Sequence, residues 1–119
     1  WAQTYVRKVG GSIVLVHTLD PVVAVPTDMP MPPPLTVEEL GAIEESVRVA
    51  ARAQGAVVEA EVVLASSPGS AIVDAAIRRG ATAICVGTHG RTGLARLVLG
   101  SVAETVIRRA TIPVIVLKA

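Results

Sequence analysis

The chain has 119 residues, 51% of them hydrophobic, enough for one domain with a core of ordinary size. Its 11 basic and 10 acidic residues leave a formal net charge of +1, so bulk charge draws it neither to nucleic acid nor to an anionic membrane. A single cysteine excludes an internal disulfide and a Cys-rich metal centre, and one Trp, one Tyr and no Phe are too few for a base-stacking platform.

No apolar run approaches the ~20 residues of a membrane span, and no signal peptide is visible. The expectation is a soluble, cytoplasmic protein. The apolar residues are mostly Val, Ala, Ile and Leu, the bias of a buried parallel sheet covered by helices.

In chain order, Trp1, Tyr5, Val6 and Val9 fall at helical spacing until Gly10 and Gly11 stop the pattern, as at the tail of a helix. Ser12 to Leu19 is β-branched and apolar and reads as a buried strand. His17 within it reads as a core or near-core histidine. Asp20 to Pro34 holds six prolines and two methionines, an irregular, mobile loop. Thr36 with Glu39 forms a capping box for a helix whose face is Leu40, Ile43, Val47, Ala50 and Ala51, ended by Gly55. Ala56 to Ala65 is the next strand. Ser67 as N-cap and Pro68 at the first helical position open a helix lined by Ile72, Val73, Ala76 and Ile77 and closed by Gly80.

Ala83 to Val86 is a further strand, in which Cys85 reads as a small core residue. Ser101 and Glu104 form a second capping box, opening a helix with Val102, Val106 and Ile107 on its inner face. Thr111 to Leu117 is the last strand. Pro113 inside it argues for a sheet edge, because proline donates no ladder hydrogen bond. Strands alternating with helices imply parallel β-α-β units, hence one α/β domain of the doubly wound type.

Between the strand ending at Val86 and the helix opening at Ser101 lies GTHGRTGLARLVLGS. Gly87 and Gly90 let backbone approach a ligand, Gly100 keeps the helix entrance free of a side chain, and the helix N-terminus offers N–H groups to a phosphate. Thr88, His89 and Arg91 are candidate side-chain contacts, and Arg96 adds cationic reach. A merely structural turn is the competing reading. The loop is not a P-loop, since GxxxxGK[ST] is absent, and not a dinucleotide fingerprint, since G-x-G-x-x-G is absent. No Cys/His/Asp cluster has metal-ligand spacing, and no nucleophile elbow is present. No catalytic residue and no metal ligand are assigned.

At this loop the sequence resembles the universal stress protein family in its ATP-binding branch. That branch carries G-x2-G-x9-G-[ST], which Gly87, Gly90, Gly100 and Ser101 satisfy. LVHTLDP at 15–21 resembles the family's second strand, SPGSAIVDAA at 67–76 the entry to its third helix, and IPVIVLKA at 112–119 its final strand. The resemblance implies a Rossmann-like fold of the adenine nucleotide α-hydrolase type: a five-stranded parallel sheet, order 3-2-1-4-5, binding ATP at the strand carboxyl ends. It puts Thr18 beside adenine and ribose, and Val86 and Gly87 beside the sugar and base. Gly90, Gly100, Ser101 and Val102 would hold the phosphates through backbone N–H groups and the Ser101 hydroxyl. It also implies a homodimer formed by pairing of final strands, residues 112–118. The family's first strand and most of its first helix, with a P-x-D turn whose aspartate contacts nucleotide or magnesium, have no counterpart here. The single domain, residues 1–119, is therefore expected to be N-terminally incomplete, by about 25 residues for one strand-plus-helix unit.

The functional expectation is an ATP-binding regulatory module of the stress response, with Mg²⁺, acting through an unidentified protein partner. Any ATP hydrolysis or autophosphorylation is expected to be slow, since no general base stands beside the loop. The alternative is a nucleotide-independent dimeric scaffold of the same fold. An adenylate-forming enzyme ranks last, because its phosphate loop follows a first strand not visible here.

Overall fold

The computed structural model describes residues 2–20, 27–53, 58–88 and 99–118. Their elements are α1 (Ala2–Val9), β1 (Ile13–Leu19), α2 (Val37–Ala53), β2 (Val58–Leu64), α3 (Pro68–Arg78), β3 (Ile84–Gly87), α4 (Ser101–Arg109) and β4 (Val114–Leu117). This is the α/β alternation that the sequence predicts. The chain forms two compact units, Trp1–Ser66 and Ser67–Ala119, each built on one parallel strand pair.

In the first unit, α1 stops where expected. The Gly10 N–H donates to the Val6 carbonyl at 2.9 Å, and Gly10 sits at φ 74°, a left-handed conformation that glycine adopts without steric cost. β1 then pairs with β2 in parallel, from Ile13 opposite Val58 to Leu19 opposite Leu64. The Ala65 N–H extends the ladder to the Leu19 carbonyl at 2.8 Å. β1 is not the buried strand expected of it. Most of it is half-buried, His17 included, and Leu15 is 41% exposed. With one neighbour among the described residues, its apolar sequence is only partly covered.

A parallel pair needs a crossover, and α2 supplies it, packing on β2. The capping box forms in full. The Thr36 N–H donates to Glu39 Oε2 at 2.7 Å, and the Glu39 N–H donates back to Thr36 Oγ1 at 3.2 Å. Ala51 is buried, Leu40, Ile43 and Val47 are half-buried, and Ala50 is exposed. Gly55 lies outside the described residues.

In the second unit, Ser67 is the N-cap of α3 and Pro68 its first residue, as read from sequence. The Ser67 hydroxyl makes no cap bond; it meets the Ser70 hydroxyl at 2.9 Å. The far end closes on Gly80 at φ 60°. The Gly80 N–H donates to the Ile77 carbonyl and the Ala81 N–H to that of Ala76, the paired bonds of a Schellman ending. β3 and β4 pair in parallel, Ile84 opposite Val114 through Gly87 opposite Leu117.

The core of this unit is Val73, Ala76, Ile84 and Val106, flanked by Ile72, Val86, Ile112 and Val114. Several predicted positions shift. Strand alternation turns Ile84 and Val86 to this core, which leaves Cys85 exposed rather than buried. Ile77 is 62% exposed, and α3 instead buries Ala75 beside Val73 and Ala76. On α4 the buried pair is Ala103 and Val106, while Val102 and Ile107 lie largely open. Pro113 precedes β4 instead of interrupting it, and its carbonyl accepts from the Ile84 N–H at 2.9 Å, so it gives no ground for an edge position.

Helices α3 and α4 cross closely at Gly69. A Cβ there would stand 2.6 Å from Thr105 Cβ and 3.0 Å from the Val102 carbonyl oxygen, so only glycine fits. Among the described residues no helix is long and apolar enough to cross a membrane.

Candidate functional site

Within the second unit the glycine loop leaves the carboxyl end of β3 at Gly87 and returns at Gly100, which precedes α4. Among the described residues the Gly100 N–H donates to the Thr88 carbonyl at 3.0 Å, across the base of the loop. Thr88 is itself held to the strand pair, its N–H donating to the Leu117 carbonyl at 2.9 Å. The N-terminus of α4 is thereby tied to the carboxyl end of the β3–β4 pair, where open α/β sheets bind ligands. A Cβ on Gly100 would lie 3.1 Å from the Thr88 oxygen, a contact that the loop accommodates only by opening slightly.

Gly100 is the N-cap of α4, in an extended conformation and with no side-chain cap bond. The Ser101–Glu104 capping box is therefore not formed. With the cap at Gly100, Glu104 is the fourth helical residue, not the third. Its N–H closes the first helical turn onto the Gly100 carbonyl at 2.9 Å, and its carboxylate turns to Arg108 at 3.5 Å. The consequence is a helix start with donors to spare. The N–H groups of Ser101, Val102 and Ala103 have no protein acceptor among the described residues, and the Ser101 hydroxyl is likewise unengaged. The helix dipole adds partial positive charge at the same end. This arrangement suits an anion such as a phosphate.

Of the sequence-predicted residues, Val86, Gly87, Thr88, Gly100, Ser101 and Val102 belong to this strand-end and helix-start region. Thr18 lies on β1 in the first unit, half-buried and opposite Val63. His89, Gly90 and Arg91 lie outside the described residues, as does Arg96. Sequence reasoning missed the Thr88 carbonyl that anchors Gly100, because a backbone pair twelve residues apart leaves no residue-type signal.

Elsewhere, Cys85 is exposed, and the desolvation it does undergo pushes its thiol up, away from the thiolate a reactive cysteine needs. Two open clefts among the described residues are lined by neither Gly87 nor Gly100. One, of about 320 Å³, is lined by Arg48, Arg52, Glu59 and Ala60; the other, of about 240 Å³, by Glu104, Thr105, Arg108 and Arg109. Among the described residues no three His, Cys, Asp or Glu side chains gather as metal ligands would.

A chain of alternating helices and parallel strand pairs belongs to the α/β class. The profile of the universal stress protein family matches residues 1–118, and the chain belongs to that family. It is 51% identical over 51 residues to Universal stress protein MJ0531 of Methanocaldococcus jannaschii, a match spanning 43% of this chain and 30% of that protein. With Universal stress protein MJ0577 of the same organism it shares 38% identity over 58 residues, 49% of this chain and 36% of that one. The matches thus take in about a third of these curated relatives' lengths. Among solved structures, a universal stress protein from Archaeoglobus fulgidus matches with a TM-score of 0.67 and 30% identity, over 97% of this chain and 82% of that one. The MJ0577 structure matches with a TM-score of 0.60 at 24% identity, covering 99% and 85% of the two chains, and supports the fold alone.

Proposed function

We propose that this universal stress protein is an ATP-binding member of its family, a nucleotide-dependent regulatory module that acts through a protein partner. The observation that carries this reading is the start of α4: among the described residues the N–H groups of Ser101, Val102 and Ala103 and the Ser101 hydroxyl have no partner, behind a glycine that presents no side chain. The spacing Gly87-x2-Gly90-x9-Gly100-Ser101 favours a nucleotide phosphate over any other anion. The β and γ phosphates are the groups this end would hold, through the N–H groups of Ser101 and Val102 and the Ser101 hydroxyl. Gly100 contributes by its missing side chain, since its own N–H is taken by Thr88. Mg²⁺ would reach the site on ATP, held mainly by phosphate oxygens and water.

The reading includes the sheet order 3-2-1-4-5, in which β1–β2 corresponds to the 2-3 neighbours and β3–β4 to the 4-5 neighbours, the two pairings observed. It also includes a homodimer through residues 112–118 and a cytoplasmic location. The function is binding rather than turnover.

One observation favours the second reading, a nucleotide-independent dimeric scaffold. The Gly100 N–H bond to Thr88 makes a satisfactory turn without any ligand. Calorimetric titration of the full chain with ATP and Mg²⁺ separates the two. The expected result is saturable heat, weakened at least tenfold by Gly100→Ala and by Gly90→Val. Absence of heat in the unaltered chain, or equal heat in both variants, overturns the ATP reading and leaves the scaffold. Nucleotide released by denaturing the freshly purified protein is the independent check.

A further inference from the structure

The proline-rich stretch ahead of α2 has no part in the nucleotide reading, and its chemistry is specific. Residues 27–36 read TDMPMPPPLT. Pro30, Pro32, Pro33 and Pro34 each fix φ near −65°. Met29, Met31, Pro32 and Pro33 each precede a proline and are pushed out of the helical region. Four of these six residues are thus kept out of the helical region and the other two have φ fixed, which biases Pro30–Pro34, following the bend at Met29, toward a polyproline II helix of about 16 Å at ~3.1 Å per residue.

Its surroundings leave it open. Residues 27–39 are all exposed, with Met29 at 62% and Met31 at 75%. Residues 30–36 carry no helix or strand, and residues 29–35 make no hydrogen bond among the described residues. The downstream end is anchored, because the Thr36–Glu39 box starts a 17-residue helix immediately after it.

With three residues per turn, Pro30 and Pro33 share one ridge and Met29 and Pro32 the next. That is a pair of apolar-proline steps, Met29-Pro30 and Pro32-Pro33, separated by Met31. Such ridges fit grooves walled by parallel aromatic rings. This chain has 2% aromatic residues and no such groove of its own. No Lys or Arg occurs between Lys8 and Arg48, whereas Asp28, Glu38 and Glu39 flank the run.

We propose that Met29–Pro34 is a docking peptide for a protein domain that reads polyproline II helices in an aromatic-lined groove bordered by basic residues. The restricted backbone keeps the ordering cost of docking low. The proposal is independent of the ATP reading.

The test titrates the unlabelled full chain into ¹⁵N-labelled SH3, WW and EVH1 domains, including members with basic groove rims, and follows amide shifts. Saturable shifts confined to the aromatic groove of at least one domain are expected. Pro30→Ala/Pro33→Ala should weaken that binding at least tenfold with an unchanged thermal melt, and Asp28→Lys/Glu38→Lys should weaken it severalfold. No saturable shift in any class, shifts away from the groove, or equal binding by the proline variant overturns the proposal.

Discussion

Ser101 separates two roles that the sequence alone leaves merged. A serine at a helix start, with Glu three residues on, reads as a cap, yet the hydroxyl makes no hydrogen bond among the described residues and Gly100 holds the cap position. Ser101→Ala should therefore leave stability within about 0.5 kcal/mol, as a surface substitution does. The same change should weaken ATP about tenfold, the worth of one hydrogen bond to a charged group. Paired melting and titration curves check both halves; a large loss of stability would mean that the hydroxyl is structural. At the other capping box the carboxylate is engaged. The Thr36 N–H and then the Thr36 hydroxyl hold the Glu39 carboxyl below its ordinary value of 4.5. A lowered carboxylate stabilises the fold at pH above its unfolded value and ceases to do so as pH falls through the folded one. The stability gap between the unaltered chain and Glu39→Gln should be widest at neutral pH and close in acid, as melts across pH 3 to 7, a window of about four units around the carboxylate range, would show.

Among elements, the α3–α4 crossing is the most constrained. Gly69 faces the Cβ of Thr105 and the backbone of Val102, neither of which is the free end of a flexible side chain. Gly69→Ala should destabilise the protein by about 1–3 kcal/mol, the cost of overpacking a tight contact. Thr105→Ser, which removes the nearby methyl, should recover only part of that loss, since the residue-105 Cβ at 2.6 Å and the Val102 carbonyl remain; denaturant titration of the single and double variants measures both. Element identity and order are legible in the sequence: helical spacing, proline starts and glycine stops mark the helices, and β-branched apolar runs mark the strands. Which face each element buries was less legible. Ile77, Val102 and Ile107 have the apolar chemistry of core residues yet lie open, while the smaller Ala75 and Ala103 are covered. Close crossing admits small side chains and displaces large ones.

For the whole molecule, the proposed dimer turns on the outer edge of β4. The Pro113 and Leu117 carbonyls accept from β3, so alternation turns the N–H groups of Val114 and Val116 to the opposite edge. Val116→Pro removes one outward donor without touching the β3 ladder. It should convert a dimer to a monomer in sedimentation velocity with helix content retained by circular dichroism. A persisting dimer would assign the contact to another surface. β1 and β2 pair over the crossover α2, and β3 and β4 over α4; β2 and β3, joined by α3, do not pair among the described residues.

Residue type and local spacing already specify the α/β class, the caps at Thr36 and Ser67, and the stops at Gly10 and Gly80. Each is a local matter of φ, ψ and hydrogen bonds within one turn of chain. Packing decides that Cys85 faces outward, that Gly69 admits no Cβ, and that Gly100 gives its N–H to Thr88. These depend on partners brought near by packing, which residue type and spacing do not encode.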